Sequence, residues 1–280
     1  MAFQLARFLP ALLFASLGCS ADEEAVEIIR RAFDASEANF QTARDYTYHE
    51  RIEHIFRNKK GKVEEQESKT WDVVLVDGSE HRRLIAKNDE PLGAKQEAKE
   101  ERKLQKSIEK MRGETPEQRA KRRAKAAKER ERDQRYIREI IRAYDFQMWG
   151  EEPIDGIDAW VIYAEPRPGY EPSFRRANVL KKLRGRLWIS KADYGWIKAD
   201  IDTIEGFSWG LFLLKLHRGA KIEFTQQWFN DEVWLLDSWR VQMSGRAGLI
   251  ARFDGELLGN CSNFRKFSAD SSITFGDALE

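Results

Sequence analysis

The feature that most constrains this chain is a succession of period-two segments, joined by turn residues and interrupted by helical pattern in one place. In Asp45 to Phe56 (DYTYHERIEHIF), Tyr46, Tyr48, Ile52 and Phe56 fall on one face, and Thr47, His49, Arg51 and Glu53 on the other. Asn58-Lys59-Lys60-Gly61 is a hairpin turn signal, followed by a second strand over Lys62 to Val76, a turn at Asp77-Gly78 and a third strand over His81 to Lys87. Further strands are expected over Ala159–Glu165, Gly185–Ile189, Trp196–Ile204, Ala220–Phe229, Glu232–Val241 and Leu249–Leu258. Gly150 to Gly156 reads as a turn-rich link, and Pro166 to Pro172 as a proline-rich break. Strands in such succession predict one long antiparallel sheet rather than an alternating β-α fold.

Two helical regions accompany the sheet. In Asp22 to Arg44, the residues Ala25, Ile28, Ile29, Ala32, Phe33 and Phe40 recur at helical spacing, and acids open the segment, where they suit the helix dipole. Residues 94–144 are an insertion of strong helix formers, split at Gly113-Glu114-Thr115-Pro116, where Thr115 is a good N-cap and Pro116 fits the first turn. Between Lys95 and Arg132 there are 15 Lys/Arg and 8 Glu. Only short apolar stripes occur (Leu104, Ile108 and Met111; Tyr136, Ile137, Ile140, Ile141 and Tyr144), so these helices are expected to dock at their ends and stand in solvent between.

The N-terminus reads as an export signal. Arg7 precedes the apolar run Phe8–Leu17, small residues follow through Ala21, and acids begin at Asp22. Cleavage after Ala21 leaves one domain over residues 22–280. The competing reading makes Cys19 a lipidated N-terminus, although Ser16 stands where a lipobox prefers Leu. Within the domain only Cys261 remains, so the fold rests on its core rather than on a disulfide. The whole chain of 280 residues carries a net charge of +1, so no global field points to nucleic acid.

The residues of Ala43-Arg44-Asp45-Tyr46-Thr47-Tyr48 with Glu50-Arg51, Arg83–Lys87, Glu114–Arg119, Pro166–Tyr170, Gly185–Ile189, Asp193-Tyr194 with Trp196, and Asn230–Leu235 give the chain a family likeness. It resembles the LolA-like group, which includes bacterial lipoprotein-sorting proteins and sigma-regulatory proteins, and within it the outer-membrane lipoprotein-sorting subgroup. The resemblance implies an α+β fold: a large curved antiparallel sheet, an incomplete β-barrel, around an N-terminal helix. It implies a periplasmic monomer that binds an acyl lipid or lipoprotein in an apolar cavity, without cofactor or catalysis. A regulatory sensor acting through a protein partner is the alternative.

Nine Trp and sixteen Phe give such a cavity its material. Trp71, Val73, Leu75, Tyr163, Trp188, Trp196, Phe224, Trp228, Trp234 and Trp239 are the candidates for the concave face. For any single one, plain core packing is the commoner role. Phe207, Trp209, Leu211, Phe212 and Leu214 are a dense apolar cluster expected at the cavity mouth or on a membrane surface.

Catalytic signals are thin. Gly206-Phe207-Ser208-Trp209-Gly210 matches the nucleophile-elbow pattern, but a serine hydrolase needs a strand-turn-helix context there, and His217 is the only later His. His49 and His54, five apart on a strand, point to opposite faces and cannot share a metal. Asp200 and Asp202 share a strand face without a second acidic element in view. The basic insertion, with interleaved Glu and without aromatics, favours a solvated face or anionic headgroups over nucleic acid.

Overall fold

A computed structural model describes residues 22–58, 60–76, 79–209, 214–247 and 251–266. Helix α1 (Glu23–Ala43) is capped by Asp22, whose carboxylate accepts from the backbone N–H groups of Glu24 and Ala25. Strands β1 (Tyr46–Arg57), β2 (Val63–Val76), β3 (Ser79–Lys87) and the two-residue β4 (Glu90–Pro91) form the first meander. Helices α2 (Ala94–Arg112) and α3 (Pro116–Ala143) follow. Thr115 and Gln118 cap α3 reciprocally, which is why the chain breaks at that Thr-Pro step. The rest is β5 (Tyr144–Ile154), β6 (Ile157–Pro166), a 3-10 helix (Arg175–Lys182), β7 (Leu183–Ser190), β8 (Trp196–Thr203), β9 (Phe207–Trp209), β10 (Leu214–Leu216), β11 (Lys221–Phe229), β12 (Val233–Ala247) and β13 (Ala251–Lys266).

All strand pairs are antiparallel, in the order β4-β3-β2-β1-β13-β12-β11-β8-β7-β6-β5, with β10 beside β12 and β9 beside β10. The last strand pairs with the first, uniting the two meanders, while β4 and β5 stay apart at the two edges and the sheet remains open. The α2–α3 pair is the connection between those edge strands. Edge β4 is blunted by its length and by Pro91, which has no N–H to offer a further strand.

Two helices take opposite faces of the sheet. On one face α1 buries Ala25, Ile28, Ile29 and Ala32 with Phe146 of β5, Ile162 of β6 and Ile189 of β7, the centre of the core. The strand register runs Val73–Tyr48 and then Glu50–Cys261, Gly259–Trp239–Phe224–Ala199–Leu187–Ile162, placing these residues on that same face. On the far face α2 packs over β3: Arg83 pairs with Glu101 at 2.6 Å, and Ser107 is hydrogen-bonded to His81 at 2.8 Å. Asp72, beside Arg83 in register, also accepts from Arg265 at 2.8 Å.

The expected strands are present, with changes: β12 runs on to Ala247, six residues past its expected end at Val241, and the short β4, β9 and β10 join them. Residues 150–154 belong to β5 rather than to a link: a bulge between Met148 and Gly150 absorbs the irregular pattern, and the turn narrows to Asp155-Gly156 with both residues at positive φ. The proline-rich break runs on into the 3-10 helix, where Ala177 and Leu180 are buried. The final strand extends to Lys266, since β1 offers it pairing partners back to Tyr46, while Leu249 and Ile250 lie outside the described residues. The helical pair departs in part from expectation: α2 packs on β3 from its middle onward, where Leu104, Ile108 and Met111 are buried, and α3 is exposed until its C-terminal end, where Glu139 and Ala143 are buried and Tyr136, Ile137, Ile140 and Ile141 are half-buried.

Candidate functional site

The site begins where α1 stops filling the space beneath it. Up to Ala32 and Phe33 the helix presents branched and aromatic side chains to the sheet. Beyond them it presents Ala35, Ser36, Ala38 and Asn39. Side chains this small leave two clefts between the C-terminal half of α1 and the sheet. One, of 260 Å³, is lined by Ala35, Ala38, Asn39, Gly195, Trp196, Gln226, Trp228 and Trp234. The other, of 390 Å³, is lined by Asn39, Phe40, Ala43, Tyr48, Val73, Trp234, Leu235, Leu236, Cys261 and Phe264.

The clefts share Ser36, Asn39, Gln226 and Trp234, and a single strut separates them. The Asn39 amide donates to the carbonyl of Trp234 at 2.8 Å and accepts from its N–H at 2.8 Å. The side chain thus pairs with β12 as a neighbouring strand would, and holds the helix at a fixed height. The Trp234 indole donates to Asp193 at 2.8 Å and lies where a Cβ on Gly195 would fall, so only glycine fits at 195. At the other end of the buried half, Trp196 donates to the carbonyl of Ala32 at 3.1 Å.

The walls also carry Asp193 and Glu232 in the smaller cleft and Arg44 and Glu80 in the larger, each with a partner: Asp193 accepts from the Trp234 indole, Glu232 pairs with Lys266 at 2.6 Å, Glu80 pairs with Arg82 at 2.7 Å, and the Arg44 guanidinium lies 5.9 Å from the centre of the Phe40 ring. Burial pushes the Tyr48 phenol up to about 12, helped by Glu80, and the Cys261 thiol up to about 12, helped by Glu50. Both are therefore neutral near pH 7, and Cys261 holds no thiolate there. Beside them on the sheet floor sits Glu50, 7% exposed. Burial raises its carboxyl, opposed by an ion pair with Arg82 and a hydrogen bond from Trp239. The Arg82 guanidinium lies 5.9 Å from the centre of the Trp71 ring. The combination is a groove of aromatic and aliphatic walls interspersed with partnered polar and charged side chains, with room for an uncharged alkyl or aromatic group.

Of the residues expected to form a cavity, Val73, Trp196, Trp228 and Trp234 line the clefts. Trp71, Phe224 and Trp239 share the sheet face of Val73 without lining them; the Trp239 ring lies across Gly259, where a Cβ would meet it at 2.1 Å. Tyr163 and Trp188 lie on the far face. Tyr163 packs on Trp149 with ring centres 5.7 Å apart, and Trp188 is buried in a cluster with Ala159, Val161 and Ile197 that Trp234 also joins. Leu75 lies in β2, Phe207 and Trp209 in β9, and Leu214 in β10, with side chains outside what the structure describes, while Leu211 and Phe212 fall outside the described residues altogether. Ser208 sits inside β9 opposite Lys215 of antiparallel β10, not at a strand-to-helix turn. Asp200 is ion-paired with Lys198 at 3.1 Å. His49 faces Asp72 at 3.6 Å on the far side of the sheet.

The helix side of the groove was missed. Ser36, Asn39, Phe40 and Ala43 read as the fading end of an amphipathic helix, yet the change from Ile and Phe to Ala, Ser and Asn was the available sign that the helix stops filling its site.

No protein-family model matches the chain, and no curated protein matches it. Among solved structures it is similar to a DUF1329 family protein from Desulfovibrio piger, at 13% identity over 90% of this chain and 95% of that one, with a TM-score of 0.33. It is similar to a putative outer membrane lipoprotein-sorting protein domain from Vibrio parahaemolyticus, at 12% identity, covering 90% and 95%, with a TM-score of 0.37. A LolA superfamily protein from Nitrosomonas europaea is similar at 9% identity, covering 87% and 93%, with a TM-score of 0.29. Identities and TM-scores this low carry no residue role and no activity to this chain. What the chain itself shows is an N-terminal helix against an open, wholly antiparallel sheet, with a helical pair joining the two edge strands.

Proposed function

We propose that the chain is an exported, periplasmic binding protein, a single domain over residues 22–280, that holds an acyl chain of a lipid or lipoprotein in the groove between α1 and the sheet. The observation that carries this reading is the pair of clefts beneath a helix half built from small residues. They are lined by Trp196, Trp228, Trp234, Val73, Leu235, Leu236 and Phe264 and joined around Asn39. The larger, at 390 Å³, lies within the range of about 300–1,000 Å³ typical of small-ligand sites. Burial of alkyl chain contributes about 0.8 kcal/mol per methylene, so about ten methylenes supply about 8 kcal/mol, a micromolar affinity.

The groove works by burial and shape. Neutral Tyr48 and Cys261 present no charge to an alkyl chain, and the acids of the clefts already have partners, Glu80 in Arg82, Glu232 in Lys266 and Asp193 in the Trp234 indole. Among the described residues no helix is long and apolar enough to cross a membrane. A fluorescent fatty acid titrated into the protein tests the reading. Ala43→Trp, which fills the larger cleft from its half-buried helix side, is expected to weaken binding more than tenfold while the domain stays folded. Equal affinity in the folded variant would place the ligand elsewhere.

A further inference from the structure

The exposed part of α3 has no structural employment. From Thr115 to Arg135 every side chain except Arg122 is exposed, so this stretch of helix buries no face against the domain. Within it, Arg119 to Lys128 (RAKRRAKAAK) contains six cations and no acid. Arg122 is paired with Glu114 at 2.9 Å. The others are like-charge neighbours on a helix, Arg119 with Arg123 and Lys121 with Lys125, an arrangement that destabilises it. A helix polar all round is ordinarily held by oppositely charged i,i+4 pairs. Across the basic run only Glu117 with Lys121 and Lys125 with Glu129 have that spacing, and the like-charge pairs oppose them.

The cations are ordered. Lys121, Lys125, Lys128 and Arg132 follow at i, i+4, i+7 and i+11, one stripe about 16 Å long. Lys121, Lys125 and Lys128 line a crevice of 640 Å³ between the two helices, where Lys110 of α2 joins them and the only acid is Glu114, already paired with Arg122. The segment from Lys95 to Arg132 has seven more cations than acids while the whole chain carries only +1, so the remainder of the protein is negative. The molecule is a charge dipole with the hairpin at its positive end, and a polyanionic plane turns that end toward itself.

We infer that the α2–α3 hairpin docks the protein on a bilayer of anionic headgroups, with phosphates seated along the stripe of Lys110, Lys121, Lys125 and Lys128. The choice of a bilayer over another polyanion rests on the reading of the groove as an acyl-chain site, since a membrane is where that ligand resides. Ala120, Ala124, Ala126 and Ala127 are the only apolar residues between Pro116 and Arg135, so the helix lies among headgroups and does not insert.

The test is co-sedimentation of the full chain with phosphatidylcholine vesicles, with and without phosphatidylglycerol, over a range of salt. Binding is expected only with phosphatidylglycerol, and it weakens steeply as salt rises. Each lysine near an anionic surface contributes about fivefold, so the triple variant K121Q/K125Q/K128Q is expected to lose about 100-fold. The double variant R119Q/R123Q, on the opposite side of the helix, keeps most of the binding. Equal binding to pure phosphatidylcholine, or wild-type binding by the triple variant, overturns the proposal, as does tight binding of duplex DNA by a protein that ignores vesicles. The substituted side chains are exposed, and circular dichroism verifies the fold. Fatty-acid uptake is measured on the same preparations. Its absence in wild-type protein that still binds anionic vesicles refutes the groove reading, and its presence without vesicle binding refutes the docking.

Discussion

Asn39→Ala removes one side chain and, with it, the pairing between α1 and β12. Two hydrogen bonds of 2.8 Å are lost, and the Trp234 N–H and carbonyl are left facing a helix that no longer answers them. A hydrogen bond contributes about 0.5–1.5 kcal/mol net, and a partly buried backbone group left unmade costs more than that mean. Together the loss is about 2 kcal/mol. For a domain of this size, about 2–4 °C of melting temperature accompanies each kcal/mol, so Tm is expected to fall by about 4–8 °C. The effect is local as well. Residues 23–32 remain anchored by Ile28, Ile29 and Ala32, whereas residues 35–43 are held by the strut, by Ala43 packed on Tyr46, Val233 and Leu235 at the very end, and by Phe40, which is itself 51% exposed. Hydrogen-exchange mass spectrometry on the variant is expected to show faster exchange confined to the second half of α1 and to β12 around Trp234. A variant that melts within 1 °C of wild type and exchanges identically over residues 35–43 would refute the strut, and with it the explanation of why two clefts stay open beside the helix.

Two further outcomes follow from buried contacts. Burial alone would raise the Glu139 carboxyl, but hydrogen bonds from Ser173 and Tyr170 outweigh it and hold the group at about 2, so its contribution is complete above the ordinary carboxylate range and disappears as pH falls toward 2. Glu139→Gln, which ends the charge-assisted bonds clamping α3 to the 170–173 loop, is expected to cost about 2 kcal/mol at pH 7 in denaturant melts and close to nothing near pH 2; a pH-independent difference would contradict the assignment. Gly259→Val places a Cβ 2.1 Å from the Trp239 indole, displaces the ring from its bond to Glu50, and is expected to cost about 1–3 kcal/mol with a shift in tryptophan emission; unchanged stability would show that the ring has room to move.

The strands were legible because their signal is local: alternation in Tyr46–Phe56 and turn residues such as Asn230-Asp231, both at positive φ, need no tertiary context. The antiparallel sheet and the inserted helices followed from the same marks. What the sequence did not show is which face each strand residue takes after a bulge. The shifts between Met148 and Gly150, between Trp188 and Ile189, and between Thr225 and Gln226 each offset the alternation, so counting from one strand to the next misplaces side chains. Tyr163 and Trp188 carry the same strand-aromatic pattern as Trp196 and Trp234, yet register puts the first two on the far face. Nor could pattern alone find the pairing of β1 with β13, since Tyr46 and Lys266 are separated by nearly the whole domain. The groove depends on that pairing, because it brings Tyr48, Cys261 and Phe264 together. Asn39 was invisible for a related reason: its partner is a backbone group 195 residues away, and a lone Asn on a helix ordinarily marks only solvent.

The central claim is that the groove beneath α1 holds an acyl chain, and native mass spectrometry of the protein purified from a bacterial host without detergent tests it most directly. The account predicts a stoichiometric adduct whose mass, after organic extraction, is that of an acyl lipid, reduced in the Ala43→Trp variant. A protein that is free of adduct and takes up no fluorescent fatty acid, or an adduct undiminished by filling the larger cleft, would contradict it.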